Sequence, residues 1–460
     1  MLKSLFLYIF LTVSIFSCSP KTEERPLTVV VFGATGDLTA RKIFPALSNL
    51  ARDRALPEKF AVVGVGRREY THEDFRKHSK GFDPGERLFY AQVDFEENRG
   101  YRHLEEMLAR IDGDFGAKSN RIYFLATQPS FFAPIVEQLG AHGMITDPGT
   151  GGEWSRVMIE KPFGHDLESA VALQESIART LDEGQIYRID HYLEKEGVQK
   201  LLSFRLKGEF ESLWNNRHID HVQITMSEEI GIGSRARFWE ETGLLRDVIQ
   251  NHILQILSLL AIDLPDRDIP AQKLKLLQAI RPIGFNEIVR GQYGPREHIL
   301  GYKQEPGVPE SSHVETFAAA KLWIDSERWE GVPFYIRAGK RLAAQLTEIA
   351  VFFKNDPNPL VIRVQPNPGI FWNGKEIHST DNSNREAYEA LLLDCIKGDQ
   401  SRFVQKEEQF AAWRLLAPIL RDWNAPPQEP FPNYGAGTWG PEEAEQLLHA
   451  DGRKWRNLVR

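Results

Sequence analysis

The run Arg188-Ile189-Asp190-His191-Tyr192-Leu193-Glu194-Lys195-Glu196 sets six ionisable groups around one tyrosine and shows no period that would bury a core face. Such a segment is better explained by a ligand than by a fold. His191 and Lys195 stand four apart, a spacing that on a helix puts both on one face and lets them grip one anion. Asp190, beside them, can orient a base supplied from elsewhere.

That base is expected on a second segment. Apolar residues at 245, 248, 249, 253, 256, 257 and 260 predict a helix from Leu245 to Leu260, with His252 on its buried stripe. A core histidine satisfied by a neighbour is the plain reading. However, Arg246, Asp247, Gln250 and Asn251 crowd the same two turns, more polar groups than packing needs. A buried imidazole with a carboxylate partner is what a general base near neutral pH requires.

Two further segments have the mechanics of a nucleotide site. Gly33-Ala34-Thr35-Gly36-Asp37-Leu38 follows the β-branched run Leu27 to Phe32 and precedes a helical pattern, so its backbone N–H groups can approach a pyrophosphate at a helix start. The glycine spacing departs from G-x-G-x-x-G, and a plain βα turn is the competing reading. The second strand, Phe60 to Val65, ends in Gly66-Arg67-Arg68, where an NAD enzyme usually places an acid. Cations there favour the 2′-phosphate of NADP. Glu160-Lys161-Pro162-Phe163-Gly164 also follows a strand, and a cis bond at Pro162 would aim Lys161 into a cleft. A lysine at a surface turn is the equal alternative.

These segments need a scaffold. Short apolar runs at Arg121 to Ala126 and Val157 to Glu160 alternate with helical stretches at Tyr101 to Ile111 and Phe131 to Leu139, so residues 27–180 read as a doubly wound parallel domain of Rossmann type. Beyond residue 200, alternating segments at His221 to Met226, Ala319 to Ile324, Ile349 to Phe353 and Val361 to Val364 predict a mainly antiparallel sheet in a larger α+β domain, 181–460. A helical block from Gly243 to Ile262 and another from Arg385 to Lys397 lie among them.

With 56 Lys and Arg against 64 Asp and Glu, a net charge of −8 excludes the basic field of a nucleic-acid binder. Two cysteines, Cys18 and Cys395, exclude a disulfide framework and any multi-cysteine metal centre; no metal site is expected, and Cys395 reads as a small buried hydrophobe. Residues 1–26 read as a signal- or lipoprotein-like segment ending near Cys18, or as a mis-assigned start. Cytoplasmic location is the expectation, with export or lipid anchoring through Cys18 as the alternative and membrane contact tied to that segment alone.

Taken in order, GATGDL with Arg41-Lys42, EKPFG, RIDHYLEKE, the segment Ile219 to Glu229, RDVIQNHILQIL, and ETF followed by GVPFYIRAGK resemble the glucose-6-phosphate dehydrogenase family. The resemblance runs from about residue 28 to Gly437-Thr438-Trp439-Gly440-Pro441. It implies NADP-dependent oxidation of D-glucose 6-phosphate to 6-phospho-D-glucono-1,5-lactone, the first step of the oxidative pentose phosphate pathway. It assigns His252 as proton acceptor and Asp190 as its orienting carboxylate, with His191, Tyr192 and Lys195 on the phosphate. Glu228, Asp247 and Lys340 meet the sugar, Lys42 and Lys161 line the cleft, and Gly33, Thr35, Gly36, Asp37, Leu38, Arg67 and Lys161 hold NADP. A homodimer or homotetramer built on the large sheet is also implied.

The rivals are an oxidoreductase on another sugar with an EKP-type Rossmann domain, and a non-catalytic nucleotide-binding relative. Five departures from the family pattern stand out. Glu194 replaces the glycine usual before the phosphate lysine and adds negative charge unless it points outward. Gln345 stands where a basic residue is expected, Phe238-Trp239-Glu240 replaces aromatic-aromatic-aspartate, Gln128 replaces a proline, and Pro366 to Asn384 is short.

Overall fold

A computed structural model describes residues 24–79, 82, 87–146, 152–264, 268–378, 386–428 and 430–456. The expectations placed on residues 1–23, including Cys18, lie outside the described residues. Among the described residues no helix is long and apolar enough to cross a membrane.

The β-branched and aromatic runs of the first half are strands buried on both faces: β1 (Leu27–Phe32), β2 (Phe60–Gly66), β3 (Leu88–Gln92), β4 (Asn120–Leu125), β5 (Ser155–Ile159) and β6 (Ile186–Arg188). They form one parallel sheet in the order β3-β2-β1-β4-β5-β6. The order reverses between β1 and β4, which marks the crevice where ligands bind in such sheets. The crossovers carry α1 (Phe44–Arg52), α2 (His72–His78), α3 (Asn98–Phe115), α4 (Phe132–Ala141) and α5 (Leu167–Ile177). Ile43, Leu47 and Leu50, spaced for one helix face, are all buried against the sheet. A π-helical turn, Thr39–Ile43, links the nucleotide-type loop to α1.

The second half begins with α6 (Glu196–Lys207) and β7 (Ile219–Ser227). Next come α7 (Ala236–Leu244), a π-helical segment Leu245–Ile253, α8 (Leu254–Ala261) and α9 (Ile269–Ala279). The remaining strands are β8 (Ile288–Gly291), β9 (Tyr293–Gly294), β10 (Phe317–Leu322), β11 (Phe334–Gly339), β12 (Leu346–Phe353), β13 (Leu360–Gln365), β14 (Gly369–Trp372) and β15 (Lys375–His378). They are followed by α10 (Ala387–Lys397), α11 (Lys406–Trp423), β16 (Tyr434–Gly435) and α12 (Glu442–His449).

Eight of these strands form a mixed sheet ordered β15-β14-β13-β12-β7-β11-β10-β8, antiparallel throughout apart from the β7–β11 pair. The mainly antiparallel expectation therefore holds. Of the short segment Pro366 to Asn384, the part up to His378 supplies the β14–β15 hairpin at the sheet edge, and residues 379–384 lie outside the described part.

Two pieces that the sequence placed beyond the boundary at 180 lie with the first sheet. One is β6. The other is α10, whose Tyr388, Leu391, Leu392 and Cys395, with Phe403 after it, share a buried cluster with β1, β4 and α1. Cys395 is fully buried there, as its apolar surroundings predict. The sheet needs apolar cover on both faces: α3 and α4 cover the other one, and on this one α10 completes the cover begun by α1 and α2.

Candidate active site

Residues 190–195 form a turn, so His191 and Lys195 do not share a helix face. Asp190 Oδ1 accepts the backbone N–H of Tyr192 at 3.0 Å, and Leu193 and Lys195 donate to the carbonyls of Asp190 and Tyr192 at 3.0 Å each. A carboxylate that captures a backbone N–H two residues on offers the chain a turn in place of a helix. Lys195 becomes the N-cap of α6, so Tyr192 and Lys195 meet through the turn. Lys195 Nζ lies 5.5 Å from the Tyr192 ring centroid.

His252 lies where the apolar stripe predicted, 3% exposed, but the helix around it is wound differently. Gly243 breaks the preceding helix at φ +62°, and a Cβ there would meet Glu315 Oε1 at 2.5 Å. That same Oε1 accepts the N–H of Leu245 at 3.0 Å. From this anchored start, residues 245–253 adopt π-helical hydrogen bonding. Residues five apart sit about 140° apart around an α-helix, whereas the wider winding of i→i+5 bonding brings them to within about 50° of each other. Asp247 and His252 thereby share one side. Lys161 Nζ uses this: it lies 2.7 Å from His252 Nε2, 3.1 Å from Asp247 Oδ1 and 2.9 Å from the Asp247 carbonyl.

The opposite ring nitrogen, Nδ1, is 2.6 Å from Asp190 Oδ1. An ammonium has only N–H to offer, so Nε2 must accept and Nδ1 carries the ring proton, donated to Asp190. Burial pushes the His252 pKa below its ordinary value, Asp190 opposes that shift and Lys161 adds to it. For Asp190 burial favours the acid form, but His252, His191 and Lys161 outweigh it and hold the carboxyl well below the usual range. Asp190, His191 and His252 also present ligand-type atoms within 4.8 Å of one another. The Nδ1–Oδ1 bond and the ammonium at Nε2 fit proton transfer better than a cation.

Around this line, the Tyr192 ring centroid is 4.2 Å from that of His252, and the His191 ring meets His252 edge-on at 4.9 Å. Burial and then His252 push His191 down to about 3, so this imidazole is neutral. Burial and the nearby Lys42 lower the Lys195 pKa. Lys42 itself is half exposed, 3.8 Å from Glu386. Lys340, buried, donates to Glu228 and lies 5.0 Å from the Trp239 ring centroid.

The Lys161–Pro162 bond is cis. Glu160, just before it, is buried and pushed up to about 7 by that burial, while Tyr388 donates to its Oε1 at 2.9 Å.

The nucleotide-type loop stands at the end of β1. Gly33 has φ +83°, and a Cβ on it would meet the Ala126 carbonyl oxygen at 2.2 Å. Only glycine fits between the ends of β1 and β4. Gly36 N–H donates to the Gly33 carbonyl at 2.9 Å, Thr39 Oγ1 donates to the same oxygen at 3.0 Å, and Asp37 pairs with Arg41. Thr35, Gly36 and Leu38 are only part-buried and Asp37 is exposed, so the turn is open to a ligand. Arg67 is exposed at the end of β2, its guanidinium carbon 5.5 Å from the Phe131 ring centroid. An open glycine turn with a free-standing cation on the next strand suits a dinucleotide with an extra phosphate.

Gln365 was not anticipated. Its Oε1 accepts from Lys195 Nζ at 3.2 Å, and its Nε2 lies 3.4 Å from the Tyr192 hydroxyl and 3.3 Å from Thr347 Oγ1. Its only sequence signal is a polar residue ending the apolar strand β13. Glu194 turns away to Arg402, and Gln345 Oε1 accepts the N–H of Glu229 at 3.3 Å. Glu240 of the altered aromatic triplet accepts from Tyr302 and from Ser312 Oγ at 2.7 Å.

Two family models cover almost the whole described chain: "Glucose-6-phosphate dehydrogenase, NAD binding domain" matches residues 30–200, and "Glucose-6-phosphate dehydrogenase, C-terminal domain" matches residues 203–456. Among curated relatives, the glucose-6-phosphate 1-dehydrogenase of Chlamydia pneumoniae is 43% identical, over 96% of this chain and 98% of its own length. That of Bacillus subtilis is 39% identical, over 95% and 100%. A solved glucose-6-phosphate dehydrogenase in complex with its substrate glucose-6-phosphate superposes with a TM-score of 0.85 at 31% identity, covering 94% of this chain and 99% of that one. The glucose-6-phosphate 1-dehydrogenase from Mycobacterium avium gives 0.78 at 32%, covering 95% and 100%.

Proposed function

The chain belongs to the glucose-6-phosphate dehydrogenase family, and from that premise we propose that the line Asp190–His252–Lys161 takes the hydroxyl proton in the NADP-dependent oxidation of D-glucose 6-phosphate at C1 to 6-phospho-D-glucono-1,5-lactone. This is oxidoreductase chemistry on a CH–OH donor and the entry step of the oxidative pentose phosphate pathway. The observation that supports it most directly is the ring of His252, held at Nδ1 by a carboxylate at 2.6 Å and met at Nε2 by an ammonium at 2.7 Å.

Nε2 is the basic atom. The C1 hydroxyl has to take the place of the Lys161 ammonium at Nε2 to deliver its proton, and Lys161 keeps Asp247 as a partner when it yields. Once His252 is protonated, ionised Asp190 stabilises the imidazolium across the existing hydrogen bond. The Gly33–Leu38 loop would hold the pyrophosphate of NADP and Arg67 its 2′-phosphate, and the cofactor would supply the nicotinamide as hydride acceptor for C1.

Lys195 meets the phosphate as a cation, with His191 as a neutral N–H donor and the Tyr192 hydroxyl beside them. Gln365 bridges Lys195 and Tyr192 and so fixes their spacing. Glu228, Lys340 and Asp247 take the sugar hydroxyls, and Lys42 lines the outer wall. Binding the phosphate away from C1 fixes the orientation of the reacting carbon.

The test is direct: purified protein is expected to reduce NADP only when glucose 6-phosphate is supplied. Absence of that activity, with NADP bound, overturns the reading. We further infer a homodimer or homotetramer, to be checked by light scattering, and a cytoplasmic enzyme, to be checked by fractionating cells that express the chain with and without residues 1–25.

A further inference from the structure

Glu194 lies between Tyr192 and Lys195, yet its side chain is 2% exposed and faces the opposite way from theirs. Arg402 Nη1 donates to its Oε2 at 2.9 Å, and Arg402 Nε stands 3.4 Å from Asp394 Oδ2 on α10. Glu194 Oε1 and Asp394 Oδ2 have no hydrogen-bond partner among the described residues. Two buried carboxylates thus share one guanidinium. A buried carboxylate stripped of its cation must take up a proton or move to water, and movement of Glu194 drags the short turn that carries His191, Tyr192 and Lys195.

We propose that Arg402 is a positioning residue for the phosphate end of the substrate: by pairing with Glu194 and Asp394 it holds the 191–195 turn with Glu194 facing α10 and Lys195 facing the ligand. The proposal rests on the reading that Lys195 meets the phosphate. Among the described residues, the charged groups that act on Glu194 are Arg402, Asp394 and Asp399. Burial raises its pKa to about 7, Arg402 opposes the shift, and Asp394 and Asp399 add to it. Burial raises the Asp394 pKa although Arg402 opposes it, and for Asp399 burial is outweighed by hydrogen bonds from Ser401 and then by Arg402, which bring it below the ordinary value. Without the guanidinium, only the protonated form of Glu194 stays comfortably buried. The damage therefore grows as pH rises and Glu194 ionises.

The experiment is steady-state kinetics of the full chain at pH values from about 6 to about 9.5, starting below the Glu194 transition of the parent and reaching far enough above it to cover the upward shift that loss of Arg402 brings, with glucose 6-phosphate varied and NADP saturating. Arg402→Met is expected to raise KM for glucose 6-phosphate about tenfold at the alkaline end and less at the acid end, with kcat within about twofold of the parent. Arg402→Lys retains the charge and stays near the parent. Adding Glu194→Gln to Arg402→Met restores KM and removes its extra pH dependence, which generic damage to the fold would not do. If Arg402→Met does not fold, Arg402→Gln makes the same comparison.

Lys195→Ala is measured alongside. If it raises KM while the Arg402 variants leave KM within about twofold across this pH range, the positioning role is overturned and the phosphate assignment stands. Should Lys195→Ala leave KM unchanged, the phosphate assignment falls and takes this proposal with it. A loss of kcat and KM together that Glu194→Gln fails to reverse also overturns it.

Discussion

Lys161 Nζ stands 2.7 Å from His252 Nε2, on the ring nitrogen opposite the one that Asp190 holds. The pair fixes the imidazole as the neutral Nδ1–H form and keeps a cation at the atom that must receive the substrate proton. Removing the ring's basicity while keeping its shape is the sharpest test. His252→Asn is expected to lower kcat by about 10³-fold, within the range of a lost general base, and to leave the KM for glucose 6-phosphate nearly unchanged. Equilibrium binding of the sugar phosphate, measured beside turnover, separates the two; full turnover in this variant would remove His252 from the mechanism.

The pH profile follows from the same contacts. The active form of His252 is neutral, and burial places its pKa below the ordinary histidine value. kcat/KM should therefore fall as pH drops through the lowered His252 pKa, hold a plateau above it, and fall again at alkaline pH where Lys195, itself lowered by burial, loses its charge. In Asp190→Asn the group that raises the His252 pKa is gone, so the acid limb moves to still lower pH while the plateau drops by about 10²-fold or more. An acid limb that moves upward would contradict the assigned pairing.

For the phosphate grip, Lys195→Ala is expected to raise KM for glucose 6-phosphate by about tenfold to a hundredfold, the worth of a charge-assisted contact. Turnover of unphosphorylated glucose at high concentration should barely change. Equal losses on both sugars would point to a collapsed turn.

Arg67 is exposed, so Arg67→Ala should leave thermal stability unchanged. The KM for NADP is expected to rise about tenfold or more, with that for NAD unaltered. An unchanged NADP-to-NAD preference would take the 2′-phosphate away from this residue.

Glu160 gives a stability prediction with a definite sign. Its pKa is raised from 4.5 to about 7 by burial, so the protonated form is favoured in the folded state. Its contribution is full below pH 4.5, declines as pH rises to about 7, and is gone above that. At about 1.4 kcal/mol per pH unit this is on the order of 3 kcal/mol. Glu160→Gln keeps the acceptor for Tyr388 and cannot ionise, so denaturant unfolding should show it more stable than the parent at pH 8 and equal to it near pH 4. Identical curves at both pH values would rule out a buried, titrating Glu160.

The two architectures, the Gly33 turn and the buried position of His252 were legible in the sequence, because β-branched runs, a glycine turn and an apolar helix stripe are local signals. The sequence misjudged geometry wherever a distant residue intervenes. The pattern from 245 to 260 reads as an α-helix, and only Glu315, seventy residues away, reveals why the π-winding starts where it does. Gln365 and Arg402 were invisible for the same reason: their partners Lys195 and Glu194 are 170 and 208 residues distant. The individual roles assigned to site residues came from the family resemblance.

The placement of α10 against the first sheet has a consequence for how the chain is made. A ribosome delivers β1 through β6 long before residues 387–403, so the part of that apolar sheet face not already covered by α1 and α2 stays bare until most of the polypeptide has emerged. The nascent enzyme must spend that interval shielded by a chaperone or only loosely collapsed. A stop placed between α9 and α10 would therefore yield an aggregating product, even though every residue of the nucleotide loop had already been synthesised.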